Sequence, residues 1–221
     1  LDTIKPEQRQ MTFPLVAFSS DGKTLAFALA GSTKVKLFSV DDGRLAGRVE
    51  SQADLTALAV GGGGRLATAS GATVQIWDGV SGEFLNSFSS TQSNVWRLQF
   101  NPRGTLLATS GFGTQPQVEL WDTIAHKVAA VLPNTDPVLG LAFSTDGKTL
   151  AVGGRGVSTS LWTIHEPPAR TQITGFDARP VSLAFRDDGL LAIDDNLGET
   201  WVWRDAQGSE HEPTLPRNLT A

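Results

Sequence analysis

One unit of sequence recurs five times along the chain, and this repetition limits the possible folds more than any other feature. Each copy has an apolar segment, a turn with glycine, a Leu-Ala pair and an alternating segment that ends in an aromatic residue. The turn glycines are Gly22, Gly64, Gly104, Gly147 and Gly189, and the aromatic residues are Phe38, Trp77, Trp121, Trp162 and Trp203. By subtraction, successive aromatic residues are 39, 44, 41 and 41 positions apart. A period of about 40–45 residues is typical of arrays in which each repeat forms a four-stranded sheet.

The clearest copy covers residues 73–83 and reads TVQIWDGVSGE. Apolar and polar residues alternate from Thr73 to Trp77, which predicts a strand with one buried face. Asp78 and the Ser-Gly pair after it supply turn chemistry. Every copy provides a strand before the glycine turn, one that begins with Leu-Ala, one that ends in the aromatic residue, and an outer strand. No window shows a helical period, so we predict an all-β fold.

Two Trp-Asp pairs, Trp77-Asp78 and Trp121-Asp122, combine with this period to resemble the WD40-repeat β-propeller family. The resemblance covers nearly the whole chain, from about residue 13 to residue 203. It implies a β-propeller of four-stranded blades. The repeats look degenerate and bacterial-type, because the chain has no Gly-His pair. The family's hydrogen-bond network within each blade should then be largely absent, so that apolar packing between blades supplies the stability.

We predict a single propeller segment over residues 1–221, with five visible blades at about 13–50, 54–90, 94–133, 137–175 and 179–215. Residues 1–12 are either the remainder of an upstream blade or a closing outer strand that pairs with the last blade. The fifth repeat lacks a convincing outer strand, because residues 206–221 are polar and contain Pro213 and Pro216. Propellers of this family typically close with seven blades, so we expect part of a larger ring. A closed five-bladed ring and an open arc completed by another chain are the alternatives.

Charge and composition argue against several classes of partner. The net charge is −5 and no run of five basic residues occurs, so nucleic acid is a poor candidate. No apolar stretch approaches the ~18 residues that a membrane span needs, so no membrane partner is expected. The absence of cysteine removes disulfides and thiolate metal sites, and it leaves the compartment open, with the cytoplasm favoured.

Residues that could carry catalysis are few. His126 and His165 follow predicted third strands, far from the propeller axis, and His211 lies in the polar tail. Three histidines placed in this way cannot converge on a metal ion. The chain also lacks a Gly-x-Ser-x-Gly elbow and a cysteine nucleophile. We therefore predict no enzyme activity, no cofactor and no metal.

The resemblance implies a non-catalytic scaffold whose loop face binds a protein or peptide partner. The alternative is a ligand-binding or enzymatic propeller that acts as the sensor domain of a larger protein, and a structural spacer is a third possibility. The apolar faces of the two terminal blades, around Val16 and Phe18 and around Leu183 and Phe185, should lack a neighbour. We therefore also expect self-association through the terminal blades.

In this family, partners usually dock on the loops before first strands and between second and third strands. Alignment of the five repeats shows residues that break their column. Arg97 stands where the other repeats have Leu15, Ala57, Gly140 and Ser182, Trp96 stands in a mostly apolar column, and Trp201 stands in a polar one. The predicted partner-binding residues are these three together with Asp54, Asn94, Arg155, Arg179 and Asp194. The competing interpretations are a solvated channel residue for Arg97, core packing for Trp96, a cover from the C-terminal tail or a further blade for Trp201, and ordinary loop residues for the rest.

Overall fold

Five antiparallel sheets of four strands each form the fold, as the repeats predict. The computed structural model describes residues 13–156, 158–164, 168–174 and 178–203, together with the backbone of residues 212–213. Within each sheet the strands are neighbours in chain order, so every sheet is a meander. We call the sheets blades 1 to 5 and number the strands of each blade from first to fourth.

Blade 1 contains β1 (Pro14–Phe18), β2 (Thr24–Leu29), β3 (Lys34–Ser39) and β4 (Leu45–Glu50). Blade 2 contains β5 (Ala57–Val60), a short 3-10 helix (Gly62–Gly64), β6 (Arg65–Ser70), β7 (Thr73–Asp78) and β8 (Phe84–Ser89). Blade 3 contains β9 (Asn94–Phe100), β10 (Leu106–Phe112), β11 (Gln117–Asp122) and β12 (Lys127–Pro133). Blade 4 contains β13 (Val138–Phe143), β14 (Thr149–Gly154), β15 (Thr159–Thr163) and β16 (Ala169–Ile173). Blade 5 contains β17 (Pro180–Phe185), β18 (Leu191–Asp195), β19 (Thr200–Trp203) and β20 (Glu212–Pro213).

A triplet of large apolar residues crosses each blade on one face. In blade 3, Phe100 pairs with Leu107, and Leu107 pairs with Trp121. Residues directly opposite each other in antiparallel strands share a face of the sheet. The other triplets are Phe18–Leu25–Phe38, Val60–Leu66–Trp77, Phe143–Leu150–Trp162 and Phe185–Leu191–Trp203. The sequence columns that defined the repeat are therefore columns of the structure.

Neighbouring blades pack a face of small residues against a face of large ones. Between blades 2 and 3, Ala59, Ala67 and Ile76 form one buried cluster with Phe100 and Trp121. Small side chains on one sheet leave room for the rings of the next sheet, so close packing brings the two backbones together. First strands of successive blades contact one another from blade 1 through to blade 5.

Three of the first strands carry an extra residue at the same position. The strand pairing skips Trp96 in blade 3, Leu139 in blade 4 and Val181 in blade 5. Such a β-bulge bends the strand and re-aims its side chains. In blade 3 the bulge also requires Gly111, because a Cβ there would lie 1.9 Å from the backbone oxygen of Asn94.

The last blade has an outer strand that the sequence did not predict. β20 is only two residues long, and it pairs with Trp201 and Val202 of β19. The expectation that the fifth repeat lacks an outer strand was therefore wrong, because so short an edge strand needs backbone pairing and gives no apolar alternation. The predicted pairing of residues 1–12 with this blade concerns residues outside the described part of the chain.

Candidate functional site

The first strands of blades 1, 2 and 3 border a cavity of about 380 Å³. Its walls are residues 14–18, 57–60 and 96–99. Each first strand lies at the edge of its own sheet, so one row of its backbone N–H and C=O groups has no partner strand within that sheet. The volume is at the lower end of the range for small ligand sites. A short group from a binding partner would therefore fit between these three strands.

Among the described residues that line this cavity, Arg97 is the one with a charged side chain. Its Nε donates to the backbone oxygen of Leu139 at 2.7 Å, and its Nη1 donates to the backbone oxygen of Trp96 at 3.2 Å. The first of these bonds reaches the neighbouring blade and fixes the guanidinium group. No described carboxylate forms an ion pair with Arg97. Because arginine has five N–H donors, three remain available.

The surroundings of Arg97 remove water from its charged group. The residue as a whole has the accessible surface of an exposed residue, but protein atoms crowd the guanidinium group itself. This desolvation lowers the pKa of Arg97, because loss of water disfavours the charged form. Arginine nevertheless stays protonated in proteins. The site therefore holds a partly desolvated cation that has no counter-charge among the described residues.

An aromatic pair lies beside this cation. The rings of Trp96 and Phe112 have centroids 3.8 Å apart and planes inclined by 54°. Trp96 is half-buried at its bulge, and Phe112 is 47% exposed. The Trp96 Nε1 is buried and finds no hydrogen-bond partner in the described part of the chain. Partly exposed aromatic rings are enriched where proteins bind one another.

Buried hydrogen bonds position the strand that carries both features. The carboxylate of Glu119 is buried, and it accepts bonds from Ser90 Oγ at 2.8 Å and from the backbone N of Thr91 at 3.0 Å. Thr91 Oγ1 donates to the same carboxylate. Gln92 Nε2 donates to the backbone oxygen of Gln117 at 3.2 Å. These bonds hold the segment just before β9, so Trp96 and Arg97 project from a fixed backbone.

Asn94 lies with Trp96 and Arg97, whereas Asp54 lies on a neighbouring loop. Asn94 begins β9 opposite Phe112, and its Oδ1 is buried without a partner among the described residues. Asp54 is exposed before β5, where its backbone oxygen accepts a bond from Ser70 Oγ. The structure therefore groups three of the eight predicted residues at blade 3.

The remaining four predicted residues lie on blades 4 and 5. Arg155 follows β14, and Arg179 precedes β17, where its backbone N donates to Asn196 Oδ1 at 2.8 Å. Asp194 is exposed on β18 and accepts a bond from Thr200 Oγ1 at 2.8 Å.

Trp201 differs from the other seven because it packs between blades 4 and 5. It is half-buried against the apolar cluster of those two blades, and its Nε1 donates to Asp195 Oδ2 at 3.2 Å. Blade 4 therefore provides packing for this ring, which the sequence assigned to the C-terminal tail or to a further blade. Leu183 and Phe185 pack in the same cluster, so the expectation that their face of blade 5 lacks a neighbour was wrong, and the opposite face of that blade is the outer one.

Phe112 and Glu119 belong to the blade 3 site, yet the sequence did not single them out. A signal was present in the spacing of the repeats. From the Leu of the Leu-Ala pair to the aromatic residue, blade 3 needs 14 steps, whereas blades 1, 2, 4 and 5 need 13, 11, 12 and 12. The longer connection follows Phe112 at the edge of the site.

The described residues contain no group of three or more His, Cys, Asp or Glu side chains that could hold a metal ion. His126 is exposed in the turn between β11 and β12, with its Nδ1 2.8 Å from Asn86 Nδ2. His165 and His211 lie outside the described residues. Within the same described part, no helix is long and apolar enough to cross a membrane.

Comparison with known proteins bears on the same region. The family model described as "WD domain, G-beta repeat" matches residues 82–122, which run from the end of blade 2 to the Trp-Asp pair of blade 3. The matched segment is a WD40-type repeat, and the five four-stranded sheets are consistent with WD40 β-propeller blades. The repeats differ from one another in one physical respect. Trp77 Nε1 donates to Thr68 Oγ1 at 2.9 Å, but Nε1 of Trp121 and of Trp162 has no partner among the described residues.

Three relatives resemble parts of the chain. The WD repeat-containing protein VIP3 of Arabidopsis thaliana is 29% identical over 126 residues, which are 51% of this chain and 39% of the relative. The periodic tryptophan protein 2 homolog of Schizosaccharomyces pombe is 27% identical over 128 residues, 58% of this chain and 15% of the relative. The target of rapamycin complex subunit wat1 of the same yeast is 25% identical over 150 residues, 65% of this chain and 46% of the relative. The chain thus spans less than half of each relative.

Proposed function

We propose that this chain is a non-catalytic scaffold that binds a protein or peptide partner at blade 3. The observation that carries the proposal is the partly exposed pair of Trp96 and Phe112 next to the unpaired guanidinium of Arg97. Aromatic residues and arginine dominate the binding energy of protein interfaces. Here they project from a strand whose backbone is held by buried hydrogen bonds, so little side-chain freedom is lost on binding.

The names of the relatives support a role in an assembly. One relative is named as a subunit of a complex, and another as a WD repeat-containing protein. A scaffold of this kind contributes a rigid surface rather than a reaction. Since the chain covers less than half of each relative, the partner is to be identified from the site and not from those names.

A photo-crosslinking experiment tests the proposal. Benzoylphenylalanine is placed at Phe112 or, as a control, at Val80, which is 75% exposed in the turn after β7. In an extract of the source cells, we expect Phe112 to yield a defined adduct that Val80 does not yield. The adduct should disappear when Trp96→Ala is added. Equal adducts from both positions, or an adduct that survives Trp96→Ala, would contradict the proposal.

The rival function is a ligand-binding or enzymatic propeller that serves as a sensor domain. It shares the cavity with the scaffold but makes a different prediction. Small molecules alone should then bind with measurable heat in calorimetry, without any protein partner. For the scaffold, we expect heat only on addition of the crosslinked partner or of its peptide.

We also infer that the outer faces of blades 1 and 5 associate between two copies of the chain. Blade 5 presents Ala184, Ala192 and Val202 in the columns where blade 2 has Ala59, Ala67 and Ile76. Blade 1 presents Phe18, Leu25 and Phe38 in the columns where blade 3 has Phe100, Leu107 and Trp121. The two open faces are therefore the two halves of an ordinary blade interface. Their charges also complement each other, since Lys36 lies on the open face of blade 1 and Asp194 on that of blade 5, and both are exposed.

A further inference from the structure

We propose that Arg97 binds a carboxylate group, supplied by an Asp or Glu side chain of the protein partner, in the cavity between the first strands of blades 1, 2 and 3. This inference rests on the proposed function, because it assumes that a partner docks at blade 3. The inference specifies which chemical group of the partner contacts the site. It also assigns Arg97 a binding role distinct from that of Trp96 and Phe112.

The hydrogen bonds of Arg97 leave its terminal face open. Nε and one N–H of Nη1 are used by the backbone oxygens of Leu139 and Trp96. The second N–H of Nη1 and both N–H groups of Nη2 remain. A carboxylate can accept two parallel bonds from the terminal nitrogens of a guanidinium group, and such charge-assisted pairs are among the strongest hydrogen bonds. The two backbone bonds fix the plane of the guanidinium group in advance, so binding a ligand costs little ordering of that group.

The composition of the cavity selects the charge of the ligand. Arg97 is the only charged residue in the described wall, and much of the rest of that wall is aliphatic or aromatic, including Leu15, Ala57 and Trp96. A cationic group would meet an unpaired cation there, and an apolar group would leave that cation desolvated and unpaired. Phosphorylated groups are usually held by clusters of arginines, whereas this wall has one. A single carboxylate matches both the charge of Arg97 and the plane of its terminal N–H donors.

The position of the cavity favours a side chain of a larger partner over a free acid. Trp96 belongs both to the cavity wall and to the aromatic pair with Phe112. A chain segment lying on that pair could therefore place one short acidic side chain against Arg97. The volume of about 380 Å³ admits such a side chain with its neighbours, and the exposed edge of Phe112 provides the adjoining contact.

An array of peptides tests the assignment on the full chain. The probes are capped heptapeptides with Asp or Glu at the centre and varied flanks, matched with Asn and Gln versions, and glutarate serves as a free-acid probe. The protein variants are Arg97→Gln, Arg97→Lys and the control Arg48→Gln, which changes an exposed arginine on the outer strand of blade 1. The array selects the tightest acidic peptides, whose dissociation constants are then measured in solution. The NMR signal of Arg97 Nε–H reports whether the group itself is contacted.

We expect the array to favour Asp or Glu over Asn or Gln. Arg97→Gln should raise the dissociation constants of the selected acidic peptides at least about tenfold. Arg97→Lys should raise them less, because the positive charge stays but the paired N–H donors of the guanidinium group are lost. Arg48→Gln should leave them unchanged. No preference for acidic peptides, or a preference that survives Arg97→Gln, would overturn the inference. Glutarate binding as tightly as the best peptide would also overturn it, since the acid would then not come from a partner. If crosslinking at Phe112 persists in Arg97→Gln, the docking site stands even where the carboxylate assignment fails.

Discussion

In blade 3, Phe100 is 1% exposed and Trp121 is 8% exposed, whereas Phe18, the residue of blade 1 in the column of Phe100, is 59% exposed. The two faces carry the same triplet of large residues at the same register. What differs is the neighbour. Ala59 and Ala67 of blade 2 cover the triplet of blade 3, and no described strand covers that of blade 1.

This difference shows that a blade's repeat pattern encodes an interface and not a self-sufficient core. A single sheet cannot bury either of its faces alone, so each blade takes its stability from the sheets beside it. In blade 3, hydrogen bonding by the tryptophan side chain contributes little, because Nε1 of Trp121 has no partner among the described residues. A substitution in one column should therefore have a large effect between two blades and a small one at the open face.

The largest effect is expected for Trp121→Ala. Trp121 is buried between blades 2 and 3 and stacks on Phe88, with ring centroids 3.8 Å apart. Removing it should lower the free energy of unfolding by about 3–5 kcal/mol. Phe38→Ala, at the same column of the open blade 1, should cost about 1–2 kcal/mol because its ring is only partly covered. Urea denaturation at a concentration where the protein is monomeric measures both values.

Equal losses for Trp121→Ala and Phe38→Ala would contradict the comparison, since they would show that the blade 1 face is covered in solution. Trp121→Phe is a milder variant if the alanine variant does not fold. It should lose clearly less stability than Trp121→Ala, because most of the ring volume stays in place.

The next effect concerns association. Phe18→Ser removes an exposed ring from the open face of blade 1, and it should raise the dissociation constant of the self-association at least about tenfold. The fold should tolerate this change because Phe18 is mostly in water. Sedimentation velocity over a range of concentrations measures the constant. A wild-type chain that stays monomeric at the highest concentration would refute the association.

The pair of Lys36 and Asp194 tests the direction of that association. Lys36→Glu alone should weaken it, and Lys36→Glu combined with Asp194→Lys should restore part of the loss, because the charges across the interface are exchanged. A combined variant no better than Lys36→Glu would mean that blade 1 does not meet blade 5 of the second copy.

Much of the fold could be predicted because strand and turn chemistry is local. Each first strand ends where the sequence placed it, at Phe18, Val60, Phe100, Phe143 and Phe185. The alternation, the glycine turns and the period together sufficed for the strand order. The outer strand β20 was missed because two residues of backbone pairing leave no pattern in the sequence.

The site was less predictable because it depends on geometry between blades. Alignment of the repeats found Arg97 and Trp96 as residues that break their columns. It could not show that the guanidinium reaches Leu139 of the next blade, or that the bulge places Trp96 against Phe112. Trp201 also broke its column, but blade 4 packs against its ring. The repeat alignment shows that a residue is unusual for its position, but the contacts that explain it are visible only in the structure.

The stability that turn residues contribute should not depend on whether the face of their blade is open or covered. Asp21 in blade 1 and Asp146 in blade 4 each accept a bond from the serine two residues before them, and each has a lowered pKa chiefly for that reason. A carboxyl with a lowered folded pKa contributes stability above its unfolded pKa of about 3.9 and loses it as the pH falls through the folded value. We therefore expect stability to decline below about pH 4. Asp21→Asn and Asp146→Asn should flatten this decline equally in urea titrations, and unequal changes would show that the turns depend on their neighbours.

The smallest effect is expected at His126, and here even the sign is informative. His126 has a φ of 54°, in the left-handed region, and the corresponding turn residues of blades 1 and 2 are Gly43 and Gly82, with φ of 67° and 75°. Glycine adopts this conformation without the steric cost that a Cβ brings, which is about 1–2 kcal/mol for most residues and less for histidine. His126→Gly should therefore be neutral or stabilising by up to about 1 kcal/mol, even though it loses the contact with Asn86.

His126→Ala keeps the Cβ and loses the contact, so it should be slightly destabilising, by about 0.5 kcal/mol. Asn86→Ala serves as the control, because it removes the contact alone. If His126→Gly destabilises the protein more than Asn86→Ala does, the histidine ring holds this turn in a way that its backbone angle does not explain.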